Sequence, residues 1–328
     1  MTKIIDVIER ADFVAGESLL MEDLKEELKK RLSLPAEKRY ERFSSGKQLF
    51  ESFLHNIVFI CLMRVSGRRV LKWFRMRFLE KLCDIEGGFV PGLNMVVLYS
   101  CFLKDFRNNT RFFDRMALDA HRAVVCRNRF LSELDRTLFY TRKALRRTEG
   151  KVRLKAYAAG MGLNPIMTLM LLRDEDPSYM DRLEFTITDL DERNVDRVKE
   201  MAELLGLQNN ITAHTEDIHG PVREEGVKYH VQTAIGIILY FREYHHTGRL
   251  LRVMKDLSAK DGVVILDCQV KHYDRFVQHE IQKQKTKLIC PKTISDIAAK
   301  AGLMPGLEFD RHLGCHLYQS LPVMVFSS

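Results

Sequence analysis

From residue 152 onward, apolar positions fall into a regular succession of short alternating runs and helical stripes. Val152 and Leu154 alternate with Arg153 and Lys155 before Ala156 and Tyr157, the pattern of a strand entering a sheet. The turn Ala158-Ala159-Gly160-Met161-Gly162 ends that strand. Asn164 and Pro165 then read as an N-cap and a first helical residue, and residues 166–172 supply an apolar helix. A second strand over 183–188 stops at Asp189. The helix after it shows Val195, Val198, Ala202 and Leu205 on one face and closes at Gly206. A third strand, 210–214, leads into Glu216 and Asp217. Residues 229–240 read as a fourth strand, 250–257 as the core face of a helix, and 262–268 as a fifth strand. A polar, charged helix over 271–287 has Phe276 and Ile281 as its few apolar anchors. Another helix starts at Thr293, with Asp296 three residues on, and ends at Gly302. Two last strands fall at 307–309 and 315–326. Strands alternating with helices in this way predict an α/β fold built on a doubly wound, mostly parallel sheet.

The first 150 residues read differently, as a mostly α-helical domain. Ile4, Ile5 and Ile8 open an amphipathic segment, and Leu20, Leu24, Leu28 and Leu32 mark a helix that stops before Pro35. Residues 49–82 form a long helical stretch with a break at Ser66-Gly67. Its second half sets Arg68, Arg69, Lys72, Arg75, Arg77 and Lys81 among Trp73, Phe74 and Phe78. Gly87-Gly88 and Pro91-Gly92 punctuate the chain before helices at 102–118 and 120–147. The boundary is expected at Thr148-Glu149-Gly150, giving a helical N-terminal domain (1–150) and a sheet domain (151–328).

Composition sharpens this only in part. The chain has 328 residues, 46% hydrophobic and 29% charged, enough to bury a core in each domain. The net charge of +8 is uneven, about +9 over residues 1–150 and about −1 over the rest. The basic aromatic helix admits three readings: phosphate contacts on nucleic acid, contact with anionic lipid, or aromatics packed inward with charges in solvent. The seven cysteines (Cys61, Cys83, Cys101, Cys126, Cys268, Cys290, Cys315) form no CxxC pair and no zinc spacing, so reduced thiols and no metal are expected. The start of the chain carries no secretory signal, and the longest apolar candidate, 49–65, is interrupted by Glu51, His55, Asn56 and Arg64. A cytoplasmic location without transmembrane segments is the expectation.

The chemistry concentrates at the glycine turn. Backbone N–H groups and a helix dipole there face a polar or anionic ligand, and Asp189 ends the next strand at about the distance at which an acid holds ribose hydroxyls. The order strand, Gly-x-Gly turn, helix, strand ending in Asp189, helix, strand ending near Asp217 resembles a class I S-adenosylmethionine-dependent methyltransferase. Thr188-Asp189-Leu190-Asp191-Glu192-Arg193-Asn194 through Leu204-Leu205-Gly206-Leu207 is similar to that family's second motif. Residues 234–241, 250–258 and 261–267 resemble its fourth strand, the following helix and its fifth strand. The resemblance covers 151–328. It implies a Rossmann-like sheet with an antiparallel last strand, S-adenosylmethionine as cofactor, and cofactor contacts from Tyr157, Gly160, Gly162, Asp189, Leu190, Asp217, Ile218 and Gly236. Two positions depart from the pattern: the usual acid near the end of the first strand falls at Ala156, and the first glycine of the turn at Ala158.

Methyl transfer needs orientation and exclusion of water, and a protein base only where the acceptor must lose a proton. Tyr240 faces the family's acceptor position, and His245 and His272 are candidate bases. Each position has a plainer reading: a tight turn for the glycines, capping for Asp189 and Asp217, a satisfied core hydroxyl for Tyr240, surface histidines. His245 and His246 lie in a loop-like stretch. The implied activity is methyl transfer to a small-molecule or acyl or lipid-like acceptor. An aminocarboxypropyl transferase resembling nicotianamine synthase, a binding module without catalysis, and an RNA methyltransferase remain as rivals.

Overall fold

The computed structural model describes residues 13–41, 61, 65, 99–104, 118–119, 121–220, 226–241, 243–268, 289–305 and 323–328. The expectations for Ile4 to Ile8, the basic aromatic helix, residues 271–287, His272 and residues 307–309 lie outside them. The chain divides into two compact units between Asn128 and Arg129, the second covering 129–271 and 286–328. That division falls inside the helix His121–Arg147, earlier in the chain than the glycine at 150.

In the first unit, α1 (Phe13–Leu32) and α2 (Ala36–Arg39) flank Pro35. Leu20, Leu24 and Leu28 are buried, as their spacing predicts. The Arg31 guanidinium lies 4.7 Å over the Phe102 ring. Arg127, fully buried, donates to both Glu41 carboxylate oxygens at 2.9 and 2.7 Å and to the Leu118 carbonyl at 2.6 Å, so the charge enters the core already paired.

The second unit begins within α3 (His121–Arg147) and continues through β1 (Val152–Tyr157), α4 (Leu163–Glu175), β2 (Leu183–Asp189), α5 (Glu192–Leu204), β3 (Ile211–Thr215), β4 (Tyr229–Ala234), α6 (Tyr244–Asp256), β5 (Ser258–Asp267), α7 (Pro291–Lys300), β6 (Met304–Pro305) and β7 (Val323–Ser327). The sheet order is β3-β2-β1-β4-β5-β7-β6. β1 to β5 run parallel, and β7 is antiparallel to both β5 and β6. The chain winds outward from β1 through β2 and β3, then returns to place β4 on the other side of β1. The order therefore reverses between β1 and β4, and their carboxyl ends open the crevice where ligands of such sheets bind. Strong burial of β1, β4 and β5 on both faces is what parallel strands sandwiched by helices require.

Several local expectations are corrected. α4 starts at Leu163, with Gly162 in the left-handed conformation (φ 63°) at its N-cap. Asn164 is thus inside the first turn, its side chain buried and accepting from Thr168 Oγ1 at 3.2 Å. The fourth strand ends at Ala234 rather than running to 240, because Gly236 turns the chain at φ 77° and a short 3-10 helix, Ile238–Tyr240, follows. His245 and His246 lie in the first turn of α6, not in a loop. The buried stripe of Thr247, Leu250, Leu251 and Met254 carries the helix back past them. α7 begins at Pro291, two residues before Thr293, since proline suits the first helical position. Among the described residues no helix is long and apolar enough to cross a membrane.

Gly162 meets a hard steric limit. A Cβ there would lie 3.0 Å from Val198 Cγ2 and 3.2 Å from Ile187 Cδ1 while the backbone stays at positive φ. Gly162→Ala is expected to destabilise the protein by about 2 kcal/mol through strain and overpacking. Thermal melts of the two proteins measure it, and an unchanged midpoint would show that the turn relaxes freely.

Candidate functional site

The turn after β1 is built from left-handed residues: Ala158 (φ 47°), Gly160 (φ 56°) and Gly162. Ala158 adopts the conformation a glycine would take, at a cost of roughly 1–2 kcal/mol for its Cβ. The turn is tied to β2 rather than left loose. Ala159 N donates to the Thr188 carbonyl at 3.1 Å, and Gly160 N donates to Asp189 Oδ2 at 2.8 Å. The other Asp189 oxygen accepts from Asp191 N at 3.0 Å and from Asn194 Nδ2 at 3.1 Å. One carboxylate therefore fixes the glycine turn, the end of β2 and the start of α5 together. Capping of α5 falls to Asp191, whose carboxylate accepts from Arg193 N. Leu190, next to Asp189, keeps 62% of its surface exposed.

After β3, Glu216 and Asp217 part ways. Glu216 is buried and pairs with Lys155 Nζ at 2.9 Å. Asp217 is exposed, accepting from His219 N at 2.9 Å, while its carbonyl accepts from Gly220 N. Half-buried Ile218 packs against the core cluster on the β4–β5 side. His219, Phe241 and His246 stack nearby, with ring centroids of His219 5.0 Å from Phe241 and 4.6 Å from His246. Partial burial, and then the neighbouring His246, hold His219 below the ordinary histidine range.

Gly236, beyond β4, donates its N–H to Asp267 Oδ1 at 2.7 Å. Asp267, fully buried at the end of β5, accepts from Arg129 Nη1 at 2.9 Å. The Arg129 guanidinium lies so close to Gly236 that a Cβ there would sit 3.4 Å from Nη1. One turn further along α3 is Glu133, buried. Burial pushes its carboxyl up to about 8; the Asp267 charge adds to the rise, while Arg129 and the Asn164 amide oppose it.

The structure thus gathers Gly160, Gly162, Asp189, Leu190, Asp217, Ile218 and Gly236 at the carboxyl ends of β1 to β4. Tyr157 differs: its side chain is 2% exposed and its hydroxyl donates to Gln232 Oε1 at 2.9 Å inside the core. Tyr240 is half-buried in the 3-10 turn past Gly236. His245 is exposed, 2.9 Å from Glu243. Sequence reasoning missed Arg129, Glu133 and Lys155. A signal existed for Glu133: Glu133, Thr137 and Thr141 form a polar stripe at helical spacing beside Phe130, Leu134 and Leu138, and all six are buried. Among the described residues no group of His, Cys, Asp and Glu is arranged to hold a metal ion.

No known protein family and no curated protein matches the sequence. Solved structures do match in fold. A possible exported protein from Bordetella parapertussis is 15% identical, with a TM-score of 0.52 over 95% of this chain and 96% of its own. DszA carbon methyltransferase is 13% identical, with a TM-score of 0.49 over 100% of this chain and 93% of its own. Magnesium protoporphyrin IX methyltransferase from Synechocystis PCC 6803, with bound SAH, is 12% identical, with a TM-score of 0.43 over 61% and 86%. At these identities the likeness is one of fold alone. Parallel strands in the order β3-β2-β1-β4-β5, an antiparallel β7 and the glycine turn after β1 give residues 152–327 a Rossmann-like doubly wound sheet with an antiparallel strand at its edge.

Proposed function

We propose that the protein binds S-adenosylmethionine in the crevice at β1 and β4 and transfers its methyl group to a small-molecule or lipid-like acceptor. The observation that carries this reading is the Asp189 carboxylate bonded to the N–H of Gly160 at the topological switch point, which fixes an acid and a glycine cradle side by side. The residues suit the cofactor's parts. Gly160 and Gly162 leave room for close backbone approach at the amino-acid end, and Asp189 retains acceptor capacity for ribose hydroxyls. Leu190 offers an apolar face, and Asp217 and Ile218 an edge, to the adenine. Gly236 stands on the side where the acceptor enters.

When bound, the cofactor supplies a methyl group on a sulfonium, whose sulfur keeps the bonding electron pair as the acceptor atom takes the carbon. The chain's own work is to orient and to exclude water. Tyr240, half-buried in the 3-10 turn past Gly236, is the residue assigned to orient an acceptor. His245, exposed and paired with Glu243, fits a surface role better than that of a base.

Calorimetric titration tests the reading. Wild-type protein is expected to bind S-adenosylmethionine and S-adenosylhomocysteine, and Asp189→Ala to weaken both at least tenfold, about 1.4 kcal/mol. The absence of both heat and a thermal shift with the two ligands would overturn it. Product analysis separates methyl transfer, which leaves S-adenosylhomocysteine, from aminocarboxypropyl transfer, which leaves methylthioadenosine.

A further inference from the structure

Near the end of β1, where the resembled family places an acid, stands Ala156, which is 2% exposed and carries no charge. A cofactor that brings a sulfonium and an ammonium into a low-dielectric crevice needs anionic charge close by, since an unbalanced buried charge is costly. Among the described residues, two buried carboxylates besides the Lys155-paired Glu216 lie at that end of the sheet, on neighbouring elements. Asp267, from β5, is neutralised by Arg129 and held by the Gly236 N–H. Glu133, from α3, faces that same Arg129, whose guanidinium is already bonded to Asp267.

We propose that Glu133 supplies the counter-charge for the cationic end of S-adenosylmethionine that Ala156 cannot, and that binding of the sulfonium drives a proton from Glu133 to solvent. The inference rests on the cofactor reading above. Three observations support it. Glu133 is 7% exposed and sits one helical turn from Arg129, the residue that reaches across Gly236 to Asp267. Asn164, two residues past the glycine turn, faces it, and the buried Asn164 amide nitrogen has Glu133 as the group it is turned toward and no other hydrogen-bond partner among the described residues. An amide N–H there is ready for a carboxylate once the proton leaves. The carboxyl is also held protonated at neutral pH by burial and by Asp267, so a bound cation has a proton to displace. The groups facing Glu133 are Arg129 on its own helix, Asp267 from β5 and the Asn164 amide from α4.

Glu133 acts through charge and need not touch the reacting atoms, so its signature is proton linkage and discrimination between cofactor and product. The two ligands differ at sulfur by one positive charge. Titrations at pH 7 in phosphate and in Tris, whose ionisation enthalpies differ, count the protons released. Wild-type protein is expected to release about one proton with S-adenosylmethionine and clearly less with S-adenosylhomocysteine. Glu133→Gln should abolish the release and weaken S-adenosylmethionine at least tenfold, while changing S-adenosylhomocysteine far less. Binding of S-adenosylmethionine with no proton released, or equal release from Glu133→Gln, overturns the proposal and leaves the cofactor reading standing. Absence of binding by either ligand removes the cofactor reading itself. The wild-type comparison needs no variant, so a folding defect in Glu133→Gln cannot shield the proposal.

Discussion

Glu133→Gln is expected to raise the stability of the ligand-free protein at pH 8 and to leave it nearly unchanged near pH 4. The native state holds the Glu133 proton up to about pH 8, whereas an unfolded glutamate releases it near its ordinary value of 4.5. Between those two values the folded protein binds more protons than the unfolded one. Stability from this group is therefore complete below pH 4.5, falls as the pH rises towards 8, and is flat above. The loss across that window is on the order of 5 kcal/mol, reckoned from the size of the shift. Glutamine fills the same space without an ionisable proton and removes the slope. For a chain of this size that corresponds to a gain of roughly 10 °C in midpoint at pH 8. Melts of both proteins from pH 4 to pH 9 measure the difference, in which the other titrating groups cancel. Parallel profiles would mean that Glu133 ionises in the native state as it does in water.

A side chain that costs stability at neutral pH, in a helix otherwise packed on apolar residues, breaks a local rule without a structural return. Such departures concentrate where a site needs them. That links the stability experiment to the proton count: the same carboxyl should weaken the ligand-free fold and strengthen its hold on a cationic ligand.

How much of this was legible in the sequence depends on the kind of signal. Alternation and glycine punctuation placed β1, β2, β3 and β5, because a strand's buried faces impose a period on the residues themselves. The end of β4 was overrun, since Ile235 to Tyr240 stays apolar while the backbone has already turned at Gly236. Hydrophobicity reports burial and is blind to a change of φ. Asn164 misled for a related reason: a capping residue type was present, yet Gly162 in the left-handed conformation already ended the turn. The charged core residues were the least legible. Lys155 occupies a central strand and Glu133 a helix preceding the sheet, and each has partners across 61 and 31 or more residues of chain, in Glu216 and in Asn164 and Asp267. Periodicity marks such positions as polar; only the fold shows that they are buried.

Lys155 also sets the other large effect. Its ammonium is fully buried, 2.9 Å from Glu216 and 4.7 Å from the Tyr157 ring centroid, with Tyr229 at 5.8 Å. Glu216→Leu leaves that ammonium in the core without its carboxylate, and a loss of about 3–5 kcal/mol is expected. Lys155→Met should cost less, because Glu216 lies nearer the surface at 9% exposure and has His214 Nε2 3.7 Å away. The double variant Lys155→Met/Glu216→Leu should recover most of the stability lost in Glu216→Leu, since removing both charges removes the desolvation cost with the attraction. Denaturant unfolding of the four proteins closes the cycle, and a coupling of at least about 2 kcal/mol is expected for a buried pair in contact. Additive losses would show that water reaches Lys155 in the native state. The pair also determines where Asp217 stands, because Glu216 is anchored on one side by Lys155 and on the other donates its backbone N–H to the Asp189 carbonyl at 3.0 Å. The double variant, stable but without that anchor, should therefore bind adenosine more weakly than wild type, whereas a pair that serves stability alone would leave adenosine binding unchanged.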